Sequence, residues 1–145
     1  TREINDRRGE RTALGNLGNA YASLGAPRRA IELFEQQLMI AREIGHRRGE
    51  GNALGDLGIA YARLGEVRRA IELYEQRLEI AREIGDRRGQ AFTSWNLGLA
   101  YELEGDFANA IANMQACVAY EQEIGHPDAD AHAQRVADLN TRAAG

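Results

Sequence analysis

The sequence predicts an all-α fold, a right-handed superhelical solenoid of antiparallel helix pairs. Three observations carry that expectation. A block of five residues returns at forty-residue intervals: Leu17-Gly18-Asn19-Ala20-Tyr21, Leu57-Gly58-Ile59-Ala60-Tyr61 and Leu97-Gly98-Leu99-Ala100-Tyr101. A fixed period of this size marks an array in which each unit buries its apolar face against its neighbours. Within each period the apolar residues recur at three-and-four spacing, which is helical, and no segment alternates with period two.

The elements follow in order. Thr1–Asn5 aligns with Ala81–Gly85, so 1–5 is expected to be the tail of a preceding repeat's second helix, and the chain a piece of a longer array. Repeat one, 6–45, carries a first helix with Leu14, Leu17 and Tyr21. Gly25 stops it, and Pro27 opens a second helix with Ala30, Ile31 and Phe34. Proline suits a first helical position, where its missing N–H has no partner to lose. Repeat two, 46–85, has Leu54, Leu57, Ala60, Tyr61 and Leu64 on its first helix. Its second helix carries Val67, Ala70, Ile71, Tyr74, Leu78, Ala81 and Ile84. Gly65 and Gly85 end those helices, since glycine takes the left-handed conformation just past a helix end. Asp86 then offers a side-chain acceptor to the free amides of the next helix. Repeat three, 86–125, turns at Gly105-Asp106-Phe107 in the same way. Residues 126–145 keep a thinner pattern, Ala129, Ala133, Val136 and Leu139, and are expected to be a capping helix or a partial repeat.

Leu54-x-x-Leu57-Gly58-x-Ala60-Tyr61 with Gly65, Ala70 and Tyr74 resembles a tetratricopeptide repeat. The first unit matches at Leu14, Leu17, Gly18, Tyr21, Gly25, Ala30 and Phe34, the third at Leu97, Gly98, Tyr101, Gly105, Ala110 and Cys117. The common period of that family is 34 residues with a proline after the second helix. Here the second helix runs on through Ala41-Arg42-Glu43-Ile44. That longer form is similar to a forty-residue subclass found in spindle-orientation adaptors and in bacterial signal-transduction ATPases and regulators.

Composition narrows the function classes. A formal net charge of −4 argues against a nucleic-acid footprint. No apolar run is long enough to span a membrane, and no basic-then-apolar leader marks secretion. Cys117 is the only cysteine, which excludes an internal disulfide and a multi-cysteine metal site. Lysine is absent and arginine abundant, the usage of a GC-rich, bacterial genome. A cytoplasmic protein is expected, with neither cofactor nor metal.

The resemblance implies that the first helices line a concave groove where a protein or peptide ligand lies. The positions that would face it are Asn16, Asn19, Asn52, Asp56, Ile59, Arg63, Phe92, Trp95, Asn96 and Leu99, with Asn16, Asp56 and Asn96 as a polar row in matching register. Mid-helix Gly15 and Gly55 each cost about 1 kcal/mol against alanine. They either let a partner approach closely or relieve crowding between neighbouring first helices. Trp95 stands at the matching position of the third unit and either anchors a partner or packs under the C-terminal helix. Arg28 and Arg68 sit four residues before Glu32 and Glu72, a spacing that allows helical ion pairs.

Catalysis is not expected. His126, Asp128, Asp130 and His132 crowd together, but two-residue steps rotate about 200° on one helix and do not converge there; an irregular loop is the alternative that would gather some of them. Cys117 reads as core, and neither Ser23 nor Ser94 has a base beside it. The expected role is a protein–protein interaction scaffold. The alternative is a structural one, in which the array contacts itself through its N-terminal end or serves as the regulatory arm of a signalling ATPase or transcriptional regulator.

Overall fold

A computed structural model describes all of residues 1–145. It contains seven helices: α1 (Arg2–Ser23), α2 (Pro27–Glu43), α3 (Arg47–Arg63), α4 (Val67–Glu83), α5 (Arg87–Leu103), α6 (Phe107–Ile124) and α7 (Ala129–Ala144). There are no strands, as the absence of period-two alternation predicts.

The turns explain the regularity. Gly25, Gly45, Gly65, Gly85, Gly105 and Gly125 all have φ between 67° and 82°. After each glycine the next amide reaches back five residues, as in Ala26 N–H to Tyr21 O at 2.9 Å and Asp86 N–H to Ala81 O at 2.8 Å. That is the Schellman closure, which a left-handed glycine makes possible without a Cβ penalty. The following helix is then capped from the turn itself. Asp86 Oδ1 accepts from Gly89 N–H at 2.9 Å, Asp106 Oδ1 from Asn109 N–H at 3.2 Å, and His46 Nδ1 from Gly49 N–H at 2.9 Å. Thr1–Asn5 behaves differently. Asn5 stands where Gly45 and Gly85 sit, and α1 runs through it unbroken from Arg2.

The chain divides into two compact units, Thr1–Ile80 and Ala81–Gly145. In the first, α1 packs on α2 and α2 on α3. Its core joins Ala30, Ile31, Phe34 and Leu38 of α2 to Ala53, Leu54, Leu57 and Ala60 of α3 and Leu73 and Ile80 of α4. The helices approach closely because glycines face aromatic rings. A Cβ added at Gly18 would lie 2.5 Å from Phe34 Cε1, and one at Gly58 would lie 2.5 Å from Tyr74 Cε1. In the second unit α5 packs on α6 and α6 on α7. Ala110, Met114 and Val118 of α6 meet Val136 and Leu139 of α7, with Trp95, Leu99, Tyr101 and Ala133 around them.

In the first repeat the surface charge pair differs from the sequence expectation by one residue. Arg29, not Arg28, bonds Glu32 at 2.9 Å, and Arg69 bonds Glu72 at 3.0 Å. Each of these arginines also lies over a tyrosine ring, Arg29 over Tyr21 and Arg69 over Tyr61, at 5.6 and 5.7 Å from the ring centroids. Such exposed pairs contribute little to stability.

Candidate functional site

In the first unit a cleft of about 260 Å³ opens between α1 and α3. Its polar edge is Asn19, Ser23, Asp56 and Arg63, and its apolar wall includes Ile59, Ala60 and the edge of Phe34. Four of the expected groove residues therefore meet here: Asn19, Asp56, Ile59 and Arg63. Asn16 and Asn52 are exposed on the same two helices but do not line the cleft.

Asp56 is the distinctive group. Its carboxyl is pushed up to about 6 because burial strips it of water, and the nearby positive charge of Arg77 offsets that only in part. Arg63, on the same helix, lines the cleft beside it. With the folded-state value above the ordinary 3.8, the folded chain holds this proton more tightly than the unfolded one. Asp56 is then neutral to stability at low pH and destabilises progressively as the pH rises through about 6. A shift of this size has a ceiling of about 3 kcal/mol, and water in the open cleft brings it to about 1 kcal/mol. Asp56→Asn is expected to be more stable than wild type by about that amount near pH 7, with the difference vanishing near pH 4. Paired urea titrations at the two pH values check this.

Gly15 and Gly55 do not floor the cleft. A Cβ at Gly15 would meet Gln37 Nε2 at 2.5 Å, and one at Gly55 would meet Arg77 Cδ and Nη1 at 2.8 Å. Both glycines make room for a long side chain from the second helix of their own repeat. In repeat three the exchange is reversed: Trp95 takes the glycine position and the small Cys117 takes the position of Gln37 and Arg77.

The other expected residues belong to the second unit. Trp95 is half-buried and stacks on His132, with ring centroids 4.1 Å apart and an interplanar angle of 27°. It joins Leu99 in the cluster beneath α7, so packing under the C-terminal helix is what the structure shows for it. Asn96 is half-buried on the same helix, while Phe92 is 50% exposed. Phe92 and Trp95 line a separate cleft of about 570 Å³ with Arg88, Cys117, Tyr120, Glu121, Ile124, His126 and His132.

That second cleft contains a group the sequence reading missed. Glu121 is buried, and its carboxyl oxygens lie 2.7 and 3.0 Å from His132 Nδ1. His126 Nδ1 approaches the same carboxyl at 3.5 Å while accepting from Asp128 N–H at 3.1 Å. Of the four clustered residues, Asp128 and Asp130 stay exposed, whereas the two histidines meet on α6. Burial, then the Glu121 carboxyl, pushes the adjacent Cys117 thiol up to about 12. The available signal was the repeat register: Glu121 occupies the position of Ala41 and Ala81, both buried.

The tetratricopeptide repeat model matches residues 9–83 and 50–123. The chain belongs to the tetratricopeptide repeat family. The tetratricopeptide domain of Arabidopsis FLU superposes with a TM-score of 0.78 at 20% identity, covering 81% of this chain and 98% of that domain. Apo RapI gives a TM-score of 0.87 at 14% identity, and aspartyl phosphate phosphatase F from Bacillus subtilis 0.77 at 13%. This chain covers 94% and 95% of its own length in those matches but only 38% and 42% of theirs. At such identities the likeness is one of fold. No curated protein sequence matches the chain. Tetratricopeptide repeats build protein-interaction scaffolds, and no helix here is long and apolar enough to cross a membrane.

Proposed function

We propose that this tetratricopeptide array binds a peptide or helical segment of another protein along its first helices, with the α1/α3 cleft as the recognition point in the first unit. The observation that carries the reading is Asp56. A half-buried carboxyl in an open cleft, held above its ordinary range, costs stability and is explained if a donor on a partner completes it. Asn19 and Arg63 supply further polar contacts, and Ile59 an apolar one. Asn16 and Asn52 extend the same face, and Phe92, Trp95, Asn96 and Leu99 are the register-matched positions of α5. Binding of this kind needs no catalytic group, no cofactor and no nucleic acid, and suits a cytoplasmic bacterial protein.

The test is selection of displayed peptides on the immobilised chain, followed by titration of the winners. Asn19→Ala with Asp56→Ala is expected to weaken them at least about tenfold, the loss of roughly one good polar contact to a charged group. Glu32→Ala with Glu72→Ala, on the exposed faces of α2 and α4, is expected to leave affinity unchanged. Selected peptides indifferent to the first pair would overturn the reading.

One observation favours the second reading, self-contact through α1. Leu17 is 47% exposed, whereas Leu57 at the same register is 2% exposed because α3 packs on α2. Ala13 and Ala20 are exposed likewise, against buried Ala53 and Ala60. This face has the shape that α3 buries, so a second helix pair, from another copy or a regulatory arm, fits it. A mass that rises with concentration and falls to monomer in Leu17→Glu supports that reading, and a monomer at all concentrations removes it.

A further inference from the structure

The second-unit cleft holds a donor set that the interaction role does not use. Cys117 and Glu121 lie one turn apart on α6 and face the same way, and His132 comes from α7. The thiol sulfur, a carboxyl oxygen and an imidazole nitrogen all lie within 4.8 Å of one another. We propose that Cys117, Glu121 and His132 form a binding site for a zinc-class divalent cation.

The placement of each donor supports this. Glu121 is buried where the two preceding repeats have alanine, and a buried carboxyl is costly unless a partner of opposite charge meets it. His126 and His132 surround it, and stacking on Trp95 fixes the ring of His132 with Nδ1 turned towards the carboxyl. Cys117 replaces the long Gln37 and Arg77 of the earlier repeats, so its sulfur and not a longer arm meets the cleft. Thiolate, carboxylate and imidazole together select a borderline-soft ion; calcium and magnesium require all-oxygen shells. Thiolate and carboxylate carry two negative charges, which the dication neutralises. The thiol proton leaves to water on binding, as does any proton shared between Glu121 and His132. The cleft, about 570 Å³ and bounded by Arg88, Tyr120 and Ile124, admits the ion and a water to complete four-coordination. A bound ion ties α7 to α6.

Titration of the untagged full chain with Co²⁺, then Zn²⁺, tests the site. One equivalent of Co²⁺ is expected to produce a thiolate-to-cobalt charge-transfer band and tetrahedral d–d bands, both erased by Zn²⁺. Cys117→Ser is expected to abolish the charge-transfer band. Glu121→Gln and His132→Gln are expected to weaken binding by at least about 10–100-fold, while His46→Gln in the first unit leaves it unchanged. Zn²⁺ is also expected to raise the melting temperature of wild type and of His46→Gln, but not of His132→Gln, which reads the site without requiring Cys117→Ser to fold. Failure of the charge-transfer band to appear with wild type, or a band and melting shift unaltered by His132→Gln, would overturn the proposal.

Discussion

Phe34→Ala is expected to lower the stability of the first unit by about 3–5 kcal/mol. Phe34 is 2% exposed and its ring lies directly on Gly18. It also touches the cleft wall and belongs to the cluster that joins α2 to α3. Removing the ring leaves a cavity that the flanking backbones cannot close, because Gly18 has no side chain to move into it. In a repeat array each unit is stabilised by its own packing and its neighbours' interfaces, so damage to one repeat need not unfold the next at the same point. The only tryptophan, Trp95, lies in the second unit and reports on it separately. Urea unfolding of Phe34→Ala is therefore expected to show an earlier transition by circular dichroism than by tryptophan fluorescence. A loss below about 1 kcal/mol would contradict the packing described.

Gly58→Ala is expected to be destabilising by about 1–2 kcal/mol, although alanine is the better helix former. Its Cβ would meet Tyr74 Cε1 at 2.5 Å and Cδ1 at 2.7 Å, and Tyr74 is buried. Overpacking costs about 1–3 kcal/mol and exceeds the roughly 1 kcal/mol gained in helix propensity. Gly55→Ala, three residues earlier on the same helix, has the opposite expectation. The atoms it would meet belong to the half-exposed side chain of Arg77 and not to a buried ring. It is expected to be neutral to about 1 kcal/mol more stable. Chemical denaturation of the pair distinguishes glycines that hold helices together from one that only accommodates an arm.

The fold was legible because its determinants are local. Each left-handed glycine, each capping aspartate and each three-four stripe lies within a few residues of its effect, and the forty-residue period repeats the message. The site was legible only in part, because its groups come from different helices. Asn19, Asp56, Ile59 and Arg63 could be placed by register on one face, and α1 and α3 do bring them to one cleft. Trp95 could not be resolved from sequence, since whether it meets solvent or α7 depends on how residues 126–145 fold back. Helical spacing alone keeps the two histidines from converging. Their meeting point is Glu121, on another helix and eleven residues from His132, where only comparison with Ala41 and Ala81 would have marked it. In the first repeat the ion pair forms one residue later than helical spacing predicts, at Arg29, which also lies over the Tyr21 ring.

The most direct test of the binding account is site-specific photo-crosslinking of the chain in extract of its source organism. A photoreactive residue replaces Ile59, in the cleft, or Glu72, on the exposed face of α4, one at a time. The account predicts protein crosslinks from Ile59 that Asp56→Ala suppresses, and none from Glu72. Crosslinks from Glu72 with none from Ile59 would contradict it and move the binding surface to the second helices.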